Sequence, residues 1–216
     1  ELLTLGYPYN QLIIHDLHEI RSIQVDWDVD ASVVTTWNGI DGLQERLGQR
    51  TVTTGCGQGT IYGSILDELE NIELSSVRFS QETFYNLLKR IKDYNEVYKR
   101  SGSVHGCALC QEDEVLVFIE DVGRHNAVDA IAGKMLLEGM NGKDKLFYTT
   151  GRLTSEMVLK VAQMGIPILI SRSGVTQMGL ELACKTGGTL ISRAGGKHFL
   201  VYHGFDTLEL DAKPSL

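Results

Sequence analysis

The second half of the chain alternates short apolar runs with segments of helical periodicity, and this alternation constrains the fold more than any other feature. Short strands separated by helices form a largely parallel sheet that helices cover on both faces. The pattern therefore predicts the α/β class with a mostly parallel sheet. The predicted helices cover residues 105–110, 127–137, 155–164 and 177–185, and the predicted strands cover 115–120, 146–149, 166–170, 189–191 and 199–202.

The beginning of the chain has a different pattern. Between residues 22 and 37, apolar and polar residues alternate with period two on both sides of a short polar turn. This alternation predicts a half-buried β-hairpin. We therefore divide the chain into a small N-terminal β-rich part, residues 1–50, and an α/β domain, residues 51–216.

An amphipathic helix is predicted between these regions. It begins near Ser80, carries apolar residues at helical spacing as far as Tyr98, and stops before Gly102. Because the chain starts at Glu1 without an initiator Met, we also expect a segment upstream of it.

Composition excludes several classes of function. A net charge of −8 argues against general nucleic-acid binding, since phosphate neutralisation needs a basic surface. No apolar run approaches the roughly 18 residues of a membrane span, and residues 2–5 do not form a secretory signal. Four cysteines in 216 residues are too few for a disulfide framework and fit a reducing compartment. The composition predicts a cytoplasmic protein that binds neither nucleic acid nor membrane.

Three connections in the α/β domain combine glycine, hydroxyl side chains and arginine. Residues 150–154 and 171–176 follow strands and contain Arg152 and Arg172, and residues 192–198 lead into another strand. Such loops gather at the carboxyl edge of a parallel sheet, where backbone amides and arginine can bind phosphate. The alternative is that these are ordinary turn residues with solvated arginines. Three such loops together favour a phosphorylated or nucleotide-like ligand.

A fourth polar cluster lies between a predicted strand and the following helix. Asn126 is predicted to cap that helix. Arg124 and His125 beside Asp121 form either an ion-pair network that stabilises the edge of the sheet or part of a site. The residue types leave both interpretations open.

The cysteines differ in their surroundings. Cys56 lies between two glycines in a loop, where a thiolate could act as a nucleophile or a sulfur carrier. Cys107 and Cys110 follow His105 with a spacing that permits zinc or redox chemistry, although packing of both thiols from one helix face is favoured. Cys184 lies in a predicted helix and is assigned to the core.

The string Asp-Val-Gly-Arg-His-Asn-Ala-Val-Asp at residues 121–129 resembles the signature of the FdhD family, the formate dehydrogenase accessory sulfurtransferases. The same family is resembled by Gly151-Arg152 followed by Ser155-Glu156, by Gly165-Ile166-Pro167 followed by Ser171-Arg172-Ser173, and by Thr176. The resemblance runs from about residue 56 to residue 202. It implies a three-layer, cytidine-deaminase-like α/β fold. It also implies transfer of persulfide sulfur from a cysteine desulfurase to the molybdenum cofactor that carries two molybdopterin guanine dinucleotides (bis-MGD), before this client cofactor enters the formate dehydrogenase apo-enzyme. No structural metal is expected, and homodimer formation stays open.

The resemblance also implies roles for individual residues. Cys56 corresponds to the loop cysteine that carries the persulfide, and Gly59 replaces the second cysteine of the family's loop. In the family's cofactor-binding stretch, Arg193 replaces the usual Phe and Gly195 the usual first Arg. The implied cofactor-binding residues are Arg193, Ala194, Gly195, Gly196, Lys197 and His198, with help from Arg152 and Arg172.

Two other functions are considered. A deaminase-like zinc enzyme needs a glutamate close to its first zinc ligand and a Pro-Cys-x-x-Cys. The chain has His105-Gly106-Cys107 and no Pro-Cys-x-x-Cys, which disfavours deamination. A non-catalytic chaperone that presents the cofactor to the apo-enzyme differs from a sulfur carrier in one respect, because it has no need for Cys56.

Overall fold

The computed structural model describes residues 1–44, 51–52, 59–60, 72–196 and 198–212. Its helices are α1 (Leu2–Asn10), α2 (Gln81–Tyr94), α3 (Glu96–Ser101), α4 (Arg124–Glu138), α5 (Ser155–Gln163) and α6 (Gln177–Thr186). Its strands are β1 (Ile20–Asp26), β2 (Ala31–Thr36), β3 (Thr51–Val52), β4 (Gly59–Thr60), β5 (Phe79–Ser80), β6 (His105–Gln111), β7 (Glu114–Asp121), β8 (Leu146–Thr149), β9 (Ile168–Ser171), β10 (Thr189–Gly195), β11 (His198–His203) and β12 (Leu208–Glu209).

The central sheet has six strands in the order β11-β10-β9-β8-β6-β7. β8, β9 and β10 pair in parallel, whereas β6 pairs antiparallel with both β7 and β8, and β11 pairs antiparallel with β10. The α/β class is confirmed, and the sheet is mixed. Because β7, β8, β9 and β10 run in the same direction, their carboxyl ends meet at one edge.

Helices cover both faces of this sheet. Apolar residues of α4, α5 and α6 pack on one face, around Leu109 and Phe147. The other face packs against α2, mainly through Phe84 and Leu87. All residues of β8 and β9 are buried, which explains why these strands are continuous apolar runs in the sequence.

The segment at residues 105–110 is strand β6, so the prediction of a short helix there was wrong. Residues 106–110 are all buried, and β6 pairs with β7 on one side and β8 on the other. A short apolar run fits a buried strand or a short helix equally well. Pairing on both sides favours the strand because it satisfies the backbone N–H and C=O groups of a fully buried segment.

The helix predicted from Ser80 is confirmed, but it contains a break. Ser80 caps α2, because its hydroxyl accepts a hydrogen bond from the Thr83 N–H at 3.1 Å. α2 ends at Tyr94, and α3 follows after Asn95. Gly102 ends α3 with a φ of 66°, a left-handed conformation that glycine adopts without a steric penalty.

The N-terminal part contains the predicted hairpin and helix α1. β1 and β2 pair antiparallel, which confirms the hairpin, while Trp27 lies in its turn and is 79% exposed. α1 packs closely on α4. A Cβ added at Gly6 would lie 1.7 Å from the carbonyl oxygen of Asp129, so this close approach requires glycine.

Candidate functional site

The three connections that combine glycine and arginine lie side by side at the carboxyl edge of β8, β9 and β10. The Arg172 N–H donates to the Thr149 carbonyl at 3.0 Å, and the Arg193 N–H donates to the Ser173 carbonyl at 2.9 Å. These backbone hydrogen bonds fix each connection relative to its neighbour. The predicted gathering of the loops at one edge is confirmed.

A cleft of about 470 Å³ opens between this edge and helices α2 and α3. Its described lining contains three exposed cations, Lys92, Lys99 and Arg172, and no carboxylate. In a chain with a net charge of −8, this lining concentrates positive potential locally and attracts anions. The other described residues that line the cleft are Leu88, Asn95, Tyr98, Tyr148, Ala194, Gly195 and Gly196.

Tyr98 and Arg172 lie against each other in the cleft wall. The central carbon of the Arg172 guanidinium is 5.9 Å from the centre of the Tyr98 ring, which is a cation–π arrangement. The carboxylate of Glu120 accepts hydrogen bonds from the backbone N–H groups of Val97 and Tyr98, both at 2.8 Å. These bonds join the first turn of α3 to the end of β7 and so fix the position of Tyr98.

The structure brings half of the predicted binding residues into the cleft. The four that line it are Arg172, Ala194, Gly195 and Gly196. Residues 194–196 reach the cleft because they lie at the end of β10 and directly after it, and β10 is parallel to β9 and ends at the same edge.

The other predicted residues are distributed differently. Arg152, Arg193 and His198 are exposed at the same edge but are not among the described lining residues. Lys197 lies outside the described residues. Cys56, the predicted sulfur carrier, also lies outside them, so its role stays a prediction.

One wall of the cleft is not anticipated from the sequence. It comes from α2 and α3 and contributes Lys92, Asn95, Tyr98 and Lys99. Tyr98 is predicted to continue the apolar stripe of a single helix, whereas the break at Asn95 redirects it toward Arg172. The sequence signal that indicates this wall is the pair of basic residues directly after Tyr98.

The polar cluster after β7 fixes the turn into α4. The Asp121 carboxylate accepts hydrogen bonds from the Gly123 N–H at 2.7 Å and from the Asn126 side-chain amide at 3.0 Å. Gly123 occupies the cap position and Asn126 lies inside the first turn, so the prediction that Asn126 caps the helix was wrong. Asp121, two residues before the cap position, therefore holds the turn from outside the helix.

His125 begins a chain of buried polar side chains between α1, α4 and α5. His125 Nδ1 lies 3.5 Å from Glu156 Oε2, and Lys160 Nζ lies 3.8 Å from Glu156 Oε1 and 2.8 Å from Asp129 Oδ2. Asn10 Nδ2 donates to Asp129 Oδ1 at 2.7 Å. All five residues are at most 4% exposed. We call this set the buried network. His125 lies inside it, next to Glu156 and away from the cleft, so the structure favours a structural role for His125.

Burial controls the protonation of the buried network. Desolvation, followed by the nearby charges of Lys160 and Arg124, lowers the pKa of His125 to about 3. The imidazole is therefore neutral at physiological pH. Burial also raises the pKa of Asp129, while Lys160 and Asn10 act in the opposite direction by favouring its ionised form.

Cys107 and Cys110 cannot act as one chemical unit. Cys107 belongs to the core layer under α4, α5 and α6, and Cys110 to the layer under α2, so the two thiols lie on opposite faces of β6. This orientation excludes a shared zinc ion. Burial raises the pKa of each thiol to about 12, so neither is a thiolate at neutral pH. Their predicted packing role is confirmed, although in a strand and not on one helix face.

Cys184 is exposed on α6, so its assignment to the core was wrong. The neighbouring residues Leu182 and Ala183 take the inward positions of this helix. One helical position further along, the side chain of Cys184 turns away from the sheet.

Two kinds of feature are absent from the part of the chain that the structure describes. No three His, Cys, Asp or Glu side chains in this part of the chain gather as a ligand set for a metal ion. None of the described helices has the length and apolar character needed to cross a membrane.

Comparison with known proteins extends these observations. A model of the FdhD/NarQ family matches residues 1–209 of the 216-residue chain. The chain belongs to the FdhD/NarQ family. The resemblance to the FdhD family is therefore confirmed. The match also includes the N-terminal part of the chain, which contains none of the motifs that indicated the family.

The alignments of this FdhD/NarQ family member with individual relatives include most of this chain and most of each relative. A protein of Bacillus subtilis (strain 168), named sulfur carrier protein FdhD, is 30% identical over 203 residues, which are 94% of this chain and 78% of the relative. A protein of the same name from Saccharolobus solfataricus is 32% identical over 203 residues, 93% of this chain and 76% of the relative. A crystal structure from Desulfotalea psychrophila, described as a formate dehydrogenase accessory protein, matches with a TM-score of 0.74 and 28% identity, covering 96% of this chain and 79% of that one.

Proposed function

We propose that this FdhD/NarQ family member is a sulfurtransferase that serves as a sulfur carrier in formate dehydrogenase maturation. It takes persulfide sulfur from a cysteine desulfurase onto Cys56. It then transfers this sulfur to bis-MGD, bound as the client cofactor at the carboxyl edge of the sheet, before the cofactor enters the formate dehydrogenase apo-enzyme. The observation that carries the proposal is the cationic cleft at that edge, in a chain whose relatives are named sulfur carriers.

The lining of the cleft suits the diphosphate of a guanine dinucleotide. Lys92 and Lys99 provide ammonium groups that can donate to phosphate, and Arg172 adds a third positive charge to the lining. Gly195 and Gly196 have no side chains, so a ligand can approach their backbone closely.

Further predicted residues extend this surface along the same edge. Arg152, Arg193 and His198 are exposed at the same edge of the sheet, and we propose that they, together with Lys197, contact the second dinucleotide or the pterin. A ligand with two dinucleotide ends is larger than the cleft itself, and it would need such additional contacts.

Transfer onto Cys56 is an exchange of one sulfur–sulfur bond for another. The Cys56 thiolate attacks the outer sulfur of the desulfurase persulfide, a new S–S bond forms at Cys56, and the desulfurase cysteine leaves as a thiolate. This step consumes no oxidant or reductant. Delivery of the sulfur to molybdenum as sulfide takes up two electrons, and we propose a thiol as the reductant.

The surroundings of the other cysteines support the choice of Cys56. Burial raises the pKa of Cys107 and Cys110 to about 12, which disfavours both as nucleophiles. Cys184 is exposed, so accessibility alone does not exclude it. The experiment must therefore separate Cys56 from Cys184.

The proposal is tested by mapping the added sulfur. The protein is incubated with a cysteine desulfurase and free cysteine, and its peptides are analysed by mass spectrometry without reduction. We expect sulfur on the Cys56 peptide in the wild type and in Cys184→Ser, and none in Cys56→Ala. Sulfur found only on Cys107, Cys110 or Cys184 would overturn the assignment.

A cofactor chaperone is the second candidate, because the cleft explains cofactor binding without any cysteine. The two functions differ in the effect of Cys56→Ala on formate dehydrogenase maturation. A sulfur carrier loses its activity with this substitution, whereas a chaperone keeps it.

We also propose that the three-layer fold is of the cytidine-deaminase-like type, and that the protein acts in the cytoplasm.

We further propose that the protein forms a homodimer. Light scattering after size-exclusion chromatography tests it, and a mass near that of one 23.9 kDa chain would contradict it.

A further inference from the structure

We propose that Tyr98 and Arg172 form the surface on which a guanine base stacks, and that Lys92 and Lys99 bind the phosphates of the same nucleotide. This inference rests on the proposed function. It adds Lys92, Tyr98 and Lys99, on helices α2 and α3, to residues 193–198, Arg152 and Arg172, which the family resemblance identifies.

The first observation is the pairing of the two side chains. The Arg172 guanidinium lies over the Tyr98 ring at 5.9 Å, and both residues line the cleft. Nucleobases stack both on aromatic rings and on guanidinium planes. Tyr98 is 37% exposed, so part of its ring is accessible to a base that enters the cleft.

The second observation is that hydrogen bonds within the protein fix the backbone of this surface. Glu120 binds the N–H groups of Val97 and Tyr98, each at 2.8 Å. On the other side, the Arg172 N–H is bound to the Thr149 carbonyl at 3.0 Å. A surface that is already ordered loses little conformational entropy when a base stacks on it.

The third observation concerns charge. Lys99 follows Tyr98 in α3, Lys92 lies in α2, and both lysines are exposed in the cleft. Neither forms an ion pair with a carboxylate of the described residues, in contrast to Lys134 and Lys160, which do. These two ammonium groups are therefore available to a diphosphate that lies beside the stacked base.

Calorimetric titration with GDP and with inorganic pyrophosphate separates the two roles. Because stacking contributes on the order of 1–3 kcal/mol per base, we expect Tyr98→Leu to raise the Kd for GDP by roughly fivefold or more. The Kd for pyrophosphate should stay within about twofold, since stacking does not involve the phosphates. Tyr98→Phe keeps the ring and should bind GDP as the wild type does, whereas Lys99→Met should weaken the binding of both ligands.

Two matched controls lie on α2 outside the cleft. Tyr94→Leu removes an exposed tyrosine that packs on Phe118, and Lys89→Met removes an exposed lysine. Both should leave the two Kd values unchanged, and circular dichroism confirms that each variant is folded. GDP binding that is unchanged in Tyr98→Leu would overturn this inference and leave the proposed function standing. Absence of GDP binding to the wild type would overturn the inference together with the cofactor site of the proposed function.

Discussion

The charged residues on the two faces of the central sheet have opposite roles. On the face covered by α2 and α3, Lys92, Lys99 and Arg172 are exposed around a cleft with no carboxylate among its described lining residues. On the face covered by α4 and α5, Lys160 is 1% exposed and lies within 4 Å of both Asp129 and Glu156. The first face leaves its charge available to a ligand, whereas the second uses its charge to hold helices together.

This difference shows that a family signature need not mark a binding surface. The residues at 121–129 identify the family, yet His125 and Asp129 from this string point into the buried network. One wall of the cleft, in contrast, comes from α2 and α3, which lie outside the motifs that match the family. Within this string, His125 and Asp129 hold helices together and do not line the cleft, whereas Arg172, from another matching motif, does.

The largest expected effect tests the buried side of the comparison. Lys160→Met leaves the carboxylates of Asp129 and Glu156 buried without their cation. Removing one partner of a buried ion pair costs about 3–5 kcal/mol of the free energy of unfolding. Urea denaturation of the wild type and the variant measures this cost.

The control for that substitution is an exposed pair on the same face. Lys134 pairs with Glu138 on α4, with 34% of the lysine side chain exposed. Lys134→Met should cost no more than about 1 kcal/mol, because exposed pairs contribute little. Equal costs for the two variants would contradict the contrast between buried and exposed charge.

The next effect tests the exposed side. Arg172→Ala should weaken GDP binding by about 1–3 kcal/mol, the usual contribution of stacking of one base, because it removes part of the surface on which the base stacks. Its free energy of unfolding should stay within about 0.5 kcal/mol of the wild type, because the side chain is exposed. Arg78→Ala removes an arginine from an exposed pair with Glu209 and serves as the control. A lower free energy of unfolding with unchanged GDP affinity would show that Arg172 has a structural role and does not contribute to binding.

The pH dependence of stability sharpens the comparison further. The pKa of His125 falls from 6.5 in the unfolded chain to about 3 in the folded protein, so protons bind preferentially to the unfolded state between these values. The contribution of His125 to the free energy of unfolding is complete above pH 6.5 and is lost as the pH falls toward 3. The free energy of unfolding changes through this group by at most about 1.4 kcal/mol per pH unit. In urea titrations between pH 7 and pH 5, His125→Asn should show a shallower decline than the wild type. Parallel declines would show that His125 is not the group responsible.

The smallest effect concerns Cys107 and Cys110, whose thiols lie in the core layers on opposite faces of the sheet. Cys107→Ala and Cys110→Ala should each cost about 1 kcal/mol of stability, since each removes one buried sulfur atom. Sulfur loading by the desulfurase should continue at the wild-type rate in the double variant. A rate that collapses in a stably folded double variant would move the pair into the transfer pathway.

Much of the fold follows from the sequence because its signals are local. The alternation of apolar runs and helical segments predicts β7 to β11 and α4 to α6, and the serine at residue 80 marks the start of α2. β6 was mistaken for a helix because its short apolar run has no periodicity that separates the two forms. Only its pairing with two neighbouring strands, a long-range property, distinguishes them.

The candidate site was predicted only in part, for a related reason. The loops of β8, β9 and β10 lie together because parallel strands bring their carboxyl ends to one edge. Tyr98 and Lys99 reach the same edge through the break at Asn95 and the carboxylate of Glu120, which is 22 residues from Tyr98 in the sequence. No local pattern encodes that contact, and so the sequence does not reveal it.

The central claim, sulfur transfer in formate dehydrogenase maturation, is tested most directly by reconstitution. Apo formate dehydrogenase is combined with bis-MGD, a cysteine desulfurase, free cysteine, a thiol reductant and this protein, and formate oxidation is measured. We predict oxidation with the wild type and with Cys184→Ser, and only background oxidation with Cys56→Ala or when this protein is omitted. Oxidation at the wild-type rate with Cys56→Ala would contradict the role of the protein as a sulfur carrier.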